Sequence, residues 1–88
     1  MVTGAAALQF PTDYPVKILG RQADDFRARV HAIMLRHAPE LDAGKITERV
    51  SANGNFLSIS YPLRASSRAQ IEALVTELQA CDGVLMLL

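Results

Sequence analysis

An Asn-Gly pair near the middle of the chain constrains the fold more than any other feature. Asn53 and Gly54 lie between two runs in which apolar residues recur, residues 45–51 and residues 56–63. Both residue types tolerate the positive φ that a tight turn between antiparallel strands requires. The pattern therefore predicts a β-hairpin at the centre of the sequence.

Helical patterns lie on both sides of this hairpin, in residues 23–38 and residues 67–80. The apolar stripe of the first is Phe26, Val30, Ile33 and Met34, and that of the second is Ile71, Leu74, Val75 and Leu78. Asp24 and Asp25 are predicted in the first turn of the first helix, where the peptide dipoles favour carboxylates. Ser67 is predicted to cap the second helix, with Ser66 as the competing N-cap, and His37 is predicted to cap the carbonyl end of the first helix.

Strand-like runs lie outside the two helices, in residues 14–19 and 84–88, and Gly20 is predicted to end the first of them. The resulting order is β-α-β-β-α-β, the split-βαβ arrangement. Right-handed crossovers place the first and third strands centrally, which gives the strand order 4-1-3-2. The predicted fold is an α+β, ferredoxin-like sandwich with one antiparallel four-stranded sheet and both helices on one face. Residues 1–9 are expected to form a flexible tail, and residues 10–88 a single domain.

Composition narrows the functional classes. Half of the 88 residues are apolar, and nine basic residues balance nine acidic ones. Such a chain forms one globular domain, and no net charge attracts nucleic acid or an anionic membrane. Cys81 is the only cysteine, which excludes an internal disulfide and suits a reducing compartment. Because no apolar run is long enough to span a membrane, we expect a soluble cytoplasmic protein.

No catalytic, metal or cofactor site is predicted. Gly20-Arg21-Gln22 follows the first strand, where acylphosphatases of similar fold bind phosphate, but Asp24 and Asp25 come next and would repel it. His31 and His37 are six residues apart and so point in different directions from one helix. The arginines of the first helix, Arg27, Arg29 and Arg36, are interpreted as a solvated face that an acidic partner could use.

Strand alternation divides the sheet residues between two faces. Leu57, Ile59, Tyr61 and Leu63 are predicted to face the helices, together with Ile46 and Val50 of the first hairpin strand. The other face then carries Lys17, Leu19, Arg49, Phe56 and Ser58, which form the predicted surface for a partner or ligand. The last strand, apolar on both sides, also suggests that a partner or a second copy covers it.

These features predict a non-enzymatic regulatory or accessory protein. It would bind a partner protein, a second copy of itself or a small effector through the sheet face or edge. The alternative is an RNA-binding module that uses Lys17, Arg49 and Phe56. That alternative is weaker, because RNA-binding sheets of this order stack bases on two or three aromatic residues and this face has one.

Several stretches together resemble a known family. They include Phe10-Pro11-Thr12, Tyr14 through Lys17 to Gly20, Arg36-His37-Ala38-Pro39, and Ser51, Gly54 and Ser58 around the hairpin. In this order and spacing the chain resembles the YbeD-like family of small uncharacterised bacterial proteins. The resemblance implies a ferredoxin-like fold similar to the ACT-type domains that bind small effectors. It also implies a link to lipoate metabolism, and it carries over no catalytic residue or cofactor.

Overall fold

A computed structural model describes residues 9–87 of the chain. Two helices and six strands follow one another, with a single turn of 3₁₀ helix at Ala43–Lys45. The elements are β1 (Thr12–Asp13), β2 (Val16–Arg21), α1 (Phe26–His37), β3 (Thr47–Val50), β4 (Phe56–Tyr61), β5 (Arg64–Ala65), α2 (Arg68–Ala80) and β6 (Val84–Leu87). Residues 1–8, most of the predicted tail, lie outside the described residues, so the division into tail and domain stays a prediction.

Four strands form the main sheet in the order β3-β4-β2-β6, and every neighbouring pair is antiparallel. A second sheet of two short strands, β1 and β5, was not predicted. It arises because Pro62 has no N–H to continue the ladder after β4, and the chain turns before Arg64. The prediction of an α+β fold with two helices and antiparallel pairing is confirmed, but the prediction of a single sheet was incomplete.

Both helices bury their apolar stripes against the same side of the main sheet. Leu57, Ile59 and Tyr61 of β4 are each at most 1% exposed, as the alternation predicted. They join Phe26, Val30 and Met34 of α1 and Leu74 and Leu78 of α2 in one cluster. Complete burial of each such side chain contributes roughly 1.5–3 kcal/mol. The core therefore lies on one side of the sheet, and within residues 9–87 no helix covers the other side.

Gly20 does not end the first strand, contrary to the prediction. It lies inside β2, it is buried, and the ring of Phe26 lies directly against it. A Cβ at this position would lie 2.1 Å from the Phe26 Cζ and 2.7 Å from the Gly83 carbonyl oxygen. The residue is glycine because α1 and the turn before β6 approach the strand too closely for any side chain.

The helix boundaries were predicted well at α2 and less well at α1. The Ser67 Oγ accepts the Gln70 N–H at 3.1 Å, so the predicted cap of α2 is confirmed. α1 begins at Phe26 rather than at residue 23, which leaves Asp24 and Asp25 before the helix instead of in its first turn. The Asp25 carboxylate instead binds Arg29 at 2.6 Å, one turn along α1.

The central hairpin is confirmed, but its first strand is less buried than expected. Gly54 adopts a φ of +76°, and the Ser51 N–H donates to the Phe56 carbonyl at 2.9 Å. All four residues of β3 are exposed. Val50 is 46% exposed, although it pairs with the buried Leu57. Ile46 precedes the strand and is only partly buried. Val50 was thus wrongly assigned to the core, because neither helix covers this edge of the sheet.

Gly20→Ala is expected to destabilise the protein by about 2 kcal/mol or more, because overpacking of this kind costs roughly 1–3 kcal/mol in well-packed cores. Urea unfolding would measure the change. Gly44→Ala is the matched control, since its added Cβ would meet only the Asp42 Oδ1, at 3.3 Å. We expect the control to stay within about 0.5 kcal/mol of the parent. Equal stability of the two variants would contradict the close packing of Phe26 on Gly20.

Candidate functional site

The uncovered side of the main sheet, called here the open face, collects all five residues predicted to form a binding surface. Paired residues of neighbouring strands project to the same side of a sheet. Leu19 pairs with Ser58, which pairs with Arg49, so these three form one row across the sheet. Two further rows of the same face flank this one. Lys17 pairs with Ser60 in one of them, and Arg21 pairs with Phe56 in the other. Their placement together is observed, and their role in binding stays a prediction.

Exposed apolar side chains lie on the open face at the start of β4 and on the edge strand β6. Phe56 is 37% exposed and Met86 is 51% exposed, and Met86 pairs with the partly exposed Leu19. Sequence reasoning missed Met86 and Arg21 as members of this face. The register of β6 shifts opposite Leu19 and Gly20, so alternation alone did not show which residues of this wholly apolar strand point outward.

The charges of the open face are all positive. Lys17, Arg21 and Arg49 form no ion pair with any residue between 9 and 87. Thr47, Ser58 and Ser60 are the remaining polar residues at outward-facing register positions of β3 and β4. A chain with no net charge therefore has a locally cationic sheet surface, which the amino-acid composition alone does not show.

The arginines on the helix side, unlike the cations of the open face, form ion pairs within the described residues. Arg27 binds Glu48 at 2.6 Å, Arg29 binds Asp25, and Arg36 binds Glu77. Arg29 also donates to the Asp82 carbonyl at 2.9 Å, which links α1 to the turn before β6. These arginines stay partly exposed, in agreement with the predicted solvated face, but carboxylates of the same chain already contact them and would compete with an acidic partner.

His37 has a partner other than the one predicted. Its Nε2 lies 2.7 Å from the Glu77 Oε1 on α2, so it bridges the two helices rather than capping the carbonyls of its own. The His37 carbonyl instead accepts the Gln70 side-chain amide at 2.7 Å. No group of three or more metal-ligating side chains occurs in the described part of the chain. Neither helix there is long and apolar enough to cross a membrane.

A groove of about 430 Å³ opens on the helix side, between α1 and β3. We call it the α1–β3 groove, and its lining is Asp24, Arg27, Ala28, His31, Ala43, Ile46, Glu48 and Tyr61. The groove exists because β3 is paired only with β4 and no helix packs over it. Arg27 of α1 and Glu48 of β3 span the groove as an ion pair.

Tyr61 forms part of the groove wall. Its side chain is 1% exposed, and its ring centroid lies 6.2 Å from that of His31. Burial raises the pKa of Tyr61 to about 12, the negative charge of Glu48 adds to the increase, and the positive charge of Arg27 opposes it. The hydroxyl therefore keeps its proton throughout the physiological range and is available as a donor.

Comparison with known proteins gives a family and a fold. Residues 5–88 match the family described as "Protein of unknown function (DUF493)". A UPF0250 protein from Hahella chejuensis is 39% identical over 84 residues, covering 96% of this chain and 92% of the relative. One from Nitrosomonas europaea is 33% identical over 99% of this chain and all of the relative. The solution structure of the C-terminal domain of the MgtC protein from Mycobacterium tuberculosis aligns with a TM-score of 0.62 at 19% identity. It covers 93% of this chain and 89% of that domain, and this likeness concerns the fold alone.

Removing the three open-face cations together, as Lys17→Gln, Arg21→Gln and Arg49→Gln, is expected to leave the free energy of unfolding unchanged or slightly higher. None of them has a carboxylate partner within residues 9–87, so the substitutions break no ion pair and relieve mutual repulsion. Thermal and urea unfolding would measure this. A loss above about 1 kcal/mol would show that these charges serve the fold instead of a surface function.

Tyr61 is expected to make the protein sensitive to alkali. Its folded-state pKa of about 12 exceeds the ordinary value of 10.0, so the folded state holds the proton more tightly. The associated stability is complete below pH 10 and is lost as the pH rises through 12, by up to about 3 kcal/mol. Urea unfolding of the parent and of Tyr61→Phe over this range would measure the difference. Parallel pH profiles of the two proteins would contradict the burial of the phenol.

Proposed function

The chain belongs to the DUF493 family, the YbeD-like proteins, and from this premise we propose that it is a non-enzymatic accessory protein that binds an acidic surface of a partner protein. The open face is the proposed contact surface. The observation that carries the proposal is that this face combines exposed apolar side chains with three cations that form no ion pair among residues 9–87.

The chemistry of the open face suits a protein partner. Apolar side chains that a partner covers supply the anchors of protein interfaces, and the exposed Phe56, at the start of β4, and Met86, on the edge strand β6, are the candidates here. Arginine is enriched at such interfaces, and surrounding charges select the partner and speed its approach. Lys17, Arg21 and Arg49 would therefore select a surface that presents aspartate or glutamate around an apolar residue.

A second copy of this chain suits the open face poorly. Two open faces in contact would place Lys17, Arg21 and Arg49 near their own copies, and like charges in an interface cost several kcal/mol. Self-association along the β6 edge is a separate second candidate. It is favoured by Leu85, which is 47% exposed beside Met86 on a strand with one unpaired edge in the main sheet.

RNA binding has less support than protein binding. The cations of the open face would attract a phosphate backbone. Phe56 is the single aromatic side chain at outward-facing positions of β2, β3, β4 and β6, whereas base stacking on such sheets uses two or three. The RNA alternative is thus an outcome to be tested rather than the preferred function.

Two finer inferences accompany the proposal. The strand order of the main sheet, with both helices on one side, supports classifying the domain as ferredoxin-like. A regulatory role is inferred from the sequence features and from the family resemblance, whereas a link to lipoate metabolism comes only from the family resemblance. Proteins of lipoate synthesis with acidic surfaces are therefore the first partners to test.

Affinity capture from a bacterial lysate, followed by titration with the purified partner, would test the proposal. Phe56→Ser and Arg49→Glu are expected to weaken binding on the order of tenfold or more, since they remove an apolar anchor and reverse a selecting charge. The matched control is Lys45→Glu. It reverses an exposed cation in the 3₁₀ turn, outside the open face, and should leave the affinity nearly unchanged.

Three outcomes would overturn the protein-docking proposal. Equal binding by parent, Phe56→Ser and Arg49→Glu proteins would place the interface elsewhere. Captured material that nuclease removes, with affinity for purified RNA that falls steeply as salt rises, would favour the RNA alternative. A purified protein that sediments as a stable dimer, with Leu85→Ser returning it to the monomer and no foreign partner bound, would favour β6 pairing.

A further inference from the structure

The wall of the α1–β3 groove includes a hydroxyl group, that of Tyr61, which forms no hydrogen bond with the described residues. The hydroxyl of Tyr61 donates to no residue in the range 9–87, and the residue, only 1% exposed, reaches the surface at the groove wall. Buried tyrosines usually place this hydroxyl against a partner. The ring nitrogens of His31, which faces Tyr61 across 6.2 Å, also form no hydrogen bond with the described residues. Two neighbouring groups are therefore available to a molecule in the groove.

The size and apolar lining of the groove suit a small organic molecule. Its volume of about 430 Å³ falls within the range of roughly 300–1,000 Å³ that small-molecule sites occupy. Ala28 and Ala43 supply small apolar surfaces, and Ile46 supplies a larger one. Such a lining accommodates a short hydrocarbon segment between polar ends.

The charges of the groove favour a positive ligand. The Arg27 Nε and the Glu48 Oε2 lie 2.6 Å apart and neutralise each other. Asp24 remains, and it forms no ion pair with any residue from 9 to 87. One uncompensated carboxylate at a site that also contains Glu48 disfavours phosphates and carboxylates and favours an ammonium group.

We propose that the α1–β3 groove binds a small organic cation, an amine that also carries an oxygen acceptor. The ammonium group would lie near Asp24, and the oxygen would accept the hydrogen bond that Tyr61 offers. His31 would contribute a second hydrogen bond from the wall. This site is on the helix side of the sheet and is independent of partner binding at the open face. It also differs in place from the sheet-face or edge site at which the sequence led us to expect an effector.

NMR titration of the isotope-labelled full chain would test this site with three probes of the same chain length. Each probe has its two functional groups at opposite ends of the carbon chain. Aminobutanol carries a positive charge, butanediol carries no charge, and hydroxybutyrate carries a negative charge. We expect aminobutanol to produce saturable shifts at the amides of Ala28, His31 and Ile46. Butanediol should bind more weakly, and hydroxybutyrate should give no saturable shift at these positions.

Variants separate the two contacts that the proposal assigns. Tyr61→Phe removes only the hydroxyl, and Asp24→Asn removes only the charge. Each should weaken aminobutanol binding at least fivefold, while Glu72→Gln, which removes an exposed carboxylate from α2, should leave it unchanged. Tyr61→Phe should melt at the parent temperature at neutral pH, because its hydroxyl has no partner within the described residues to lose.

The proposal is overturned if no probe shifts these amides saturably, or if the anionic probe binds as tightly as the cationic one. It is also overturned if Tyr61→Phe and Asp24→Asn both retain the parent affinity. Should Tyr61→Phe fold poorly, the hydroxyl would have an internal partner after all, and this too contradicts the proposal. Asp24→Asn, at an exposed position before α1, keeps the charge assignment testable in either case.

Discussion

The contact between Phe26 and Gly20 is the constraint on which the rest of the structure depends. Phe26 is the first residue of α1 and is fully buried, and its ring fills the space that any side chain at position 20 would need. The carbonyl of Gly83 approaches the same position, so β2, α1 and the entry to β6 meet at one point. Arg29 strengthens this junction through its bond to the Asp82 carbonyl. This junction determines where α1 packs on the sheet. Neither α1 nor α2 then covers β3, which lies at the far edge of the sheet.

This placement divides the molecule into two sides with different electrostatics. On the helix side, carboxylates of the same chain neutralise Arg27, Arg29 and Arg36, which also ties α1 to β3 and α2. Such exposed pairs each contribute at most about 1 kcal/mol to stability. Their main effect here is to neutralise the positive charge on the helix side of the sheet. Lys17, Arg21 and Arg49 form no ion pair within residues 9–87, and they lie on the side of the sheet that neither α1 nor α2 covers. The open face and the α1–β3 groove thus arise from the same packing, on opposite sides of one sheet.

Much of the candidate site followed from alternation along single strands. Lys17, Leu19, Phe56 and Ser58 share a face because β2 and β4 are regular, with one side of each strand buried. The groove could not be found in this way, because its lining comes from α1, β3, β4 and the loop before β3. Tyr61 was correctly assigned to the buried side, yet nothing in its sequence neighbourhood showed that its hydroxyl would have no hydrogen-bond partner among residues 9–87. That depends on which atoms of other elements come near it.

By itself, the sequence determined the elements that local chemistry controls. Gly54 and its neighbours specify the hairpin, Ser67 specifies the start of α2, and the apolar periods specify which side of each helix is buried. Only the tertiary structure decided that Gly20 lies inside a strand, that Val50 is exposed, and which arginines have partners. The physical reason is that turns, caps and stripes depend on residues a few positions apart. The close packing of a helix on a strand, the burial of a strand under a helix and the pairing of charges depend on elements that are far apart in the sequence.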